Sequence, residues 1–81
     1  MKLVTVEWHD AWASTEGHTP EQIERDHGPT VQHSTGWLVK RDRRGVTIAG
    51  DRFVLQGELM YDRVLFVPAR MVVKVRLATL R

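Results

Sequence analysis

The stretch Gly36-Trp37-Leu38-Val39-Lys40-Arg41-Asp42-Arg43-Arg44-Gly45-Val46-Thr47-Ile48-Ala49 decides the fold. Apolar residues give way to a charged turn that ends on glycine, and a β-branched run returns. That is the pattern of two antiparallel strands on a tight connection. Over residues 31–41, Val31, His33, Thr35, Trp37 and Val39 share one face of the first strand. Gly36 inside it marks a bend or a close approach of another backbone. Gly45 suits the positive φ that such a turn requires.

Working outward, residues 3–9 alternate: Val4, Val6 and Trp8 face one way, Thr5, Glu7 and His9 the other, as in a half-buried strand. Residues 10–18 read as loop, with Ser14, Thr15 and Gly17. A helix is expected from Thr19-Pro20-Glu21-Gln22, where Thr19 caps, Pro20 suits the first helical position and Gln22 completes a capping box. His27-Gly28-Pro29 ends it. Its one apolar side chain is Ile23, which makes it a lid and not a core element. Towards the C-terminus, residues 52–56 favour strand, while 58–63 fit either a turn or a short helix. Residues 64–67 read as strand, Pro68-Ala69-Arg70 as a tight turn, and 71–78 as a last strand. In that strand Met71, Val73, Val75 and Leu77 are expected inside, with Lys74 and Arg76 outside. The expected fold is mainly β with one short helix: a small five-stranded, partly open barrel of SH3-like type. It forms one domain over residues 1–81, with a loop–helix insertion at about 10–30.

Composition excludes several kinds of chemistry. Of 81 residues none is cysteine, which removes disulfides, Cys-ligated zinc and thiol catalysis together. No apolar run approaches the ~20 residues that span a bilayer, and no secretory leader is read at the start. A cytoplasmic location is the resulting expectation. Below roughly 70–80 residues a single core supplies little stability, and without disulfides the expected remedy is self-association through strand edges.

The charge is unevenly placed. Residues 1–30 carry two basic against six acidic side chains, and residues 31–81 carry ten against four. Nine of the twelve basic residues are arginine, the side chain best shaped for bidentate recognition of phosphate. The basic turn Lys40, Arg41, Asp42, Arg43 and Arg44 is the leading candidate ligand site, with Arg52, Arg70, Lys74 and Arg76 as companions. Trp12, in the loop after the first strand, is placed either to stack on a base or to seal a subunit contact. Trp8 and Trp37 are expected in the core. His9, Asp10, His18, His27 and His33 are ligand-capable, yet none is spaced as a helical metal pair, and no metal or other cofactor is expected. No nucleophile motif or phosphate-cradling glycine loop is present, and His9 and Asp10 fall on opposite strand faces. No catalytic residue is assigned.

Two stretches resemble the signature halves of the Sm/Hfq-like family. Gly36-Trp37-Leu38-Val39-Lys40-Arg41-Asp42 with Val46-Thr47-Ile48 is similar to the first motif, and Phe66-Val67-Pro68-Ala69-Arg70-Met71-Val72 to the second. The resemblance implies a bent five-stranded barrel that closes into rings and binds RNA through the turns of these motifs. It would set Asp42 at the family's aspartate and Arg70 near its second basic turn. The family's Asn after that aspartate is replaced by Arg43, and the Gly after the second-turn Arg by Met71. A further resemblance, through Val6-Glu7-Trp8, Thr35-Gly36-Trp37-Leu38 and Gly45-Val46-Thr47-Ile48-Ala49, is to small uncharacterised tailed-phage proteins. It implies an accessory protein working in the cytoplasm of a bacterial host. The expectation is thus a non-enzymatic homo-oligomer that takes RNA, single-stranded DNA or another phosphate-bearing ligand. A protein that sequesters a nucleotide signal, or one that engages a host protein, is the alternative.

Overall fold

One long strand organises the molecule. In the computed structural model, which describes residues 2–78, β2 (Thr30–Asp42) lies at the centre of a five-stranded antiparallel sheet. Its neighbours are β1 (Leu3–Asp10) on one side and β3 (Gly45–Leu55) on the other. Outside them run β5 (Val72–Leu77) against β1, and β4 (Glu58–Pro68) against β3. A 3-10 turn, Ala69–Met71, links β4 to β5. The helix α1 (Pro20–Asp26) precedes β2. The structure is therefore mainly β with one short helix, as the alternation implies. The sheet is not closed into a barrel: β4 and β5 are its two edges.

β2 uses its two halves differently. Residues 30–37 pair with β1, from Thr30 opposite Asp10 to Trp37 opposite Leu3. Residues 37–42 pair with β3, with a register shift between Leu38 and Lys40. An extra residue in one strand raises the local twist and bends it. Two wings result, joined by one strand, and the core fills the angle between them. Val4 and Val6 come from one wing, and Val46, Ile48 and Val67 from the other. Trp8, Leu38, Leu65, Met71, Val72 and Val75 pack around them. Gly36 lets the wings meet: a Cβ there would stand 2.7 Å from the Ala49 carbonyl oxygen.

Cross-strand partners share a face of the sheet. Val4 and Val6 oppose Gly36 and Ser34, so the core side of β2 is small, and Ser34 Oγ accepts the Trp8 indole N–H at 3.0 Å. Trp37 opposes Leu3 on the other face, and so it is not a core residue; the Arg52 guanidinium lies 4.2 Å from its ring centroid. On that outer face Thr5 and Thr35 share a hydroxyl hydrogen bond of 2.8 Å, and His33 Nε2 lies 3.3 Å from Glu7 Oε1. The expected inward set of β5 also needs correction. Glu7 pairs with Lys74 but Trp8 with Val72, which leaves Val73 as the extra residue of a bulge. Val72 and Val75 therefore reach the core while Val73 is half exposed. Leu77, opposite Val4, lies beyond what covers it.

Residues 50–63, ambiguous in sequence, are a hairpin arm. β3 runs on to Leu55 and β4 starts at Glu58, across a Gln56-Gly57 turn whose residues both have positive φ, 51° and 82°. That is the mirror-type turn which matches strand twist. The arm leaves the sheet at Gly50 and gives the molecule its 55 Å long axis against 30 and 24 Å. At its root Arg63, itself at φ 48°, lays its guanidinium over Gly50 and binds Asp51 twice, at 2.8 and 3.2 Å.

The close approach at Gly36 predicts that Gly36→Ala destabilises the protein by about 1–3 kcal/mol, because the obstacle is rigid backbone. Gly17→Ala, with no atom within 4 Å of the added methyl, should be nearly neutral. Urea denaturation midpoints of the two variants check the contrast.

Candidate functional site

The β2–β3 turn is a self-tethered basic loop. Asp42 Oδ1 accepts the backbone N–H of Arg44 at 2.8 Å, and its Oδ2 accepts the Arg44 guanidinium at 3.2 Å. This is the Asx-type tether that suits aspartate to turns. Lys40 Nζ sits 3.8 Å from the same carboxylate. The Arg44 backbone donor, and then its side chain, hold the Asp42 carboxyl below its usual range. Asp42 is thus the organiser of the turn, with Lys40 and Arg44 partly neutralised by it. Arg41 and Arg43 make no ion pair among the described residues.

The second basic turn is pinned to the first. The backbone N–H of Ala69 donates to the Arg44 carbonyl at 2.9 Å, so the 3-10 turn that carries Arg70 abuts the β2–β3 turn. A small cleft at this end, about 280 Å³, is lined by Arg41, Asp42, Ala69, Val73 and Lys74 among others. Another, about 210 Å³, lies between Lys40, Arg44, Thr47 and Phe66. Lys40, Arg41, Asp42, Arg43 and Arg44 thus share one turn, and Arg70 is carried on the 3-10 turn pinned beside it, its side chain lining a separate groove. Arg76 lies on neither turn. It pairs with Thr5 on the outer face of the sheet, while Lys74 takes the nearer place.

Trp12 stands apart from the β2–β3 turn but shares a groove with Arg70. The capping box forms as expected: Gln22 N–H donates to Thr19 Oγ1 at 3.2 Å, and Thr19 N–H to Gln22 Oε1 at 2.9 Å. Its helix buries nothing, and Ile23 is half exposed. Ile23 instead walls a groove of about 570 Å³ between α1, the loop after β1 and the 3-10 turn. Trp12, Pro29 and Met71 complete the apolar lining; His9, Asp10, His27 and Arg70 supply polar groups. The Trp12 indole N–H donates to the Gly28 carbonyl at 2.7 Å, which fixes the ring. Trp12 also lines a neighbouring hollow of about 430 Å³ with Arg25 and His27.

The histidines scatter accordingly. His9 and His27 meet at the groove, His18 bonds Ser14 Oγ at 2.9 Å, and His33 faces Glu7. Among the described residues no group of three or more His, Asp or Glu side chains is placed to hold a metal ion. Sequence reasoning missed the groove because its parts lie about sixty positions apart, from His9 to Met71. The lone Ile23 on a polar helix was the one local signal of it. No helix among the described residues is long and apolar enough to cross a membrane.

Comparison with protein-family models, with curated proteins and with solved structures finds no match to this chain.

The tether predicts the titration of Asp42. Because the largest cause of its depression is the Arg44 backbone N–H, Arg44→Ala should leave the carboxyl below its usual range, though less so than in the parent chain. A depressed carboxyl contributes stability above its unfolded pKa and loses it as pH falls through the folded value. The turn should therefore loosen only in acid. Carbon-detected NMR titration of Asp42 measures both effects; a fully normal value in Arg44→Ala would refute the backbone assignment.

Proposed function

We propose that this chain is a homo-oligomeric, non-enzymatic binding module. It holds single-stranded nucleic acid by its phosphates along the basic end formed by the β2–β3 and β4–β5 turns. The observation that carries the reading is the Ala69 N–H to Arg44 carbonyl bond, which sets two separate basic turns side by side. One arginine-bearing hairpin tip is an ordinary solvated surface. Two pinned together, with Arg41, Arg43 and Arg70 out of ion pairs among the described residues, offer a run of phosphate donors. Five antiparallel strands with adjacent motif turns also support the likeness to Sm/Hfq-like proteins. On the resemblance read from the sequence, the module would be a phage accessory protein working in a bacterial cytoplasm.

Assembly follows from the edges. β4 and β5 each pair on one side only. β4 carries Glu58 and Asp62 with Arg63, a net charge of −1, and β5 carries Lys74 and Arg76, so the two edges differ in sign, though β4 is mixed. Head-to-tail pairing of β4 with β5 of the next copy satisfies both, and repetition multiplies weak phosphate contacts.

Light scattering should give a multiple of the 9.4 kDa chain mass, and Lys74→Glu with Arg76→Glu should shift it towards the single chain. A 9.4 kDa species at all concentrations would exclude the assembly. For the ligand, fluorescence anisotropy with labelled oligouridylate or oligothymidylate should show binding at low salt that weakens as salt rises. Arg43→Glu with Arg44→Glu should weaken it by about tenfold or more and flatten the salt slope. Absence of binding at low salt would overturn the nucleic-acid reading.

A further inference from the structure

We propose that the groove between α1, the loop after β1 and the 3-10 turn is a nucleotide site, taking a planar base against Trp12 and a phosphate on Arg70. It lies outside the basic turns and shares only Arg70 with them. A free mononucleotide and one nucleotide of a bound strand present the same chemistry to it.

Size and lining come first. A groove of about 570 Å³ falls in the range of small-molecule sites, roughly 300–1,000 Å³. Its lining is apolar at Trp12, Ile23 and Met71, and polar groups converge on it from few directions. That is the composition of a binding cleft, and not of a charged surface fold.

The ligand class follows from which groups are present. Trp12 is 45% exposed, and its N–H bond to the Gly28 carbonyl holds the ring still. A fixed, accessible indole is a stacking platform for a flat ring, whose contact costs little further ordering. Arg70 makes no ion pair among the described residues, so a bidentate donor is open for a phosphate. His9 and His27, which also line it, add ring nitrogens that can donate or accept. The groove also holds one acid, Asp10, which repels a bare polyanion but accepts from sugar hydroxyls or an exocyclic amine. Flat apolar body, hydrogen-bond donors and one anionic end together describe a nucleoside monophosphate. A sugar phosphate would waste the indole, and an apolar metabolite would leave Arg70 and Asp10 without partners.

The test uses the full chain and the four ribonucleoside 5′-monophosphates, with adenosine and inorganic phosphate as partial probes, read by calorimetry. At least one monophosphate should bind about tenfold tighter than either partial probe. Trp12→Leu and Arg70→Ala should each weaken it about tenfold, and Trp12→Phe should retain it. Far-ultraviolet circular dichroism and the urea midpoint of each variant guard against misfolding. Arg43→Glu with Arg44→Glu should leave monophosphate affinity within about twofold while it weakens strand binding by about tenfold or more, which separates this site from the basic turns. If Trp12→Leu also weakens oligonucleotide binding, the occupant is a nucleotide of the strand; if only the free monophosphate responds, it is a free nucleotide. Monophosphates that give no heat at about millimolar concentration, together with oligonucleotide binding that ignores Trp12→Leu, would overturn the proposal whatever the basic turns bind.

Discussion

The approach of the Gly36 backbone to the Ala49 carbonyl is the constraint on which the rest of this molecule depends. β2 can serve two wings of the sheet only if it bends between them, and a side chain at Gly36 would occupy the space the bend closes. The register shift next to it supplies the turn of the strand. With the wings folded together, Val4 and Val6 meet Val46, Ile48 and Val67, and a core exists. Flattened, the same five strands would expose every one of these residues. The basic end depends on the same bend, since it is the folded wings that let the link from β4 to β5 cross beside the β2–β3 turn.

That core is small, and its size explains what is left outside. Val6 and Val67 are the largest fully buried side chains among the described residues, and Phe53, Leu55, Leu59 and Met60 all stand in the open on the arm. Phe53 pairs with Met60 on one face of the arm, and Val54 with Leu59 on the other, so neither face is polar. A two-stranded ribbon of this kind is marginal in water by itself. Its root is fixed electrostatically: Arg63 binds Asp51, while Asp62, directly opposite Asp51, is pushed to a higher pKa by the hydrogen bond it shares with that neighbour. Exposed apolar area on the arm and one-sided pairing of both edge strands are the features on which the proposed self-association rests.

How much of this was written in the sequence depends on range. The capping box, the Asp42 turn and the tight passage at Gly36 are local, and each was readable from neighbouring residues. Residues 50–63 were ambiguous because Glu58 and Asp62 dilute a strand pattern that only pairing with β3 completes. The inward set of β5 was misassigned because strict alternation cannot register the bulge at Val73, which is created by the partner strand. Trp37 looked like core because a large aromatic on a strand usually is. Its face was decided by Val4 and Val6, thirty residues away, which claimed the other side of the sheet. The groove was out of reach for the same reason, since the β1 end, α1 and the 3-10 turn meet only in three dimensions.

The 3-10 turn joins these consequences. Its Ala69 amide is spent on the Arg44 carbonyl, its Arg70 side chain lines the groove with Trp12, and its Met71 packs against the core. Three residues thus tie the basic turn, the apolar groove and the folded wings to one another. What the bond fixes is the backbone that carries Arg70, not its guanidinium. The acidic, histidine-bearing first third then has a physical role that its composition concealed: it builds most of a groove closed on the other side by Arg70 and Met71 of the 3-10 turn. A net charge of +2 is the sum of an acidic first third and an arginine-rich remainder, which meet at this groove through Asp10 and Arg70.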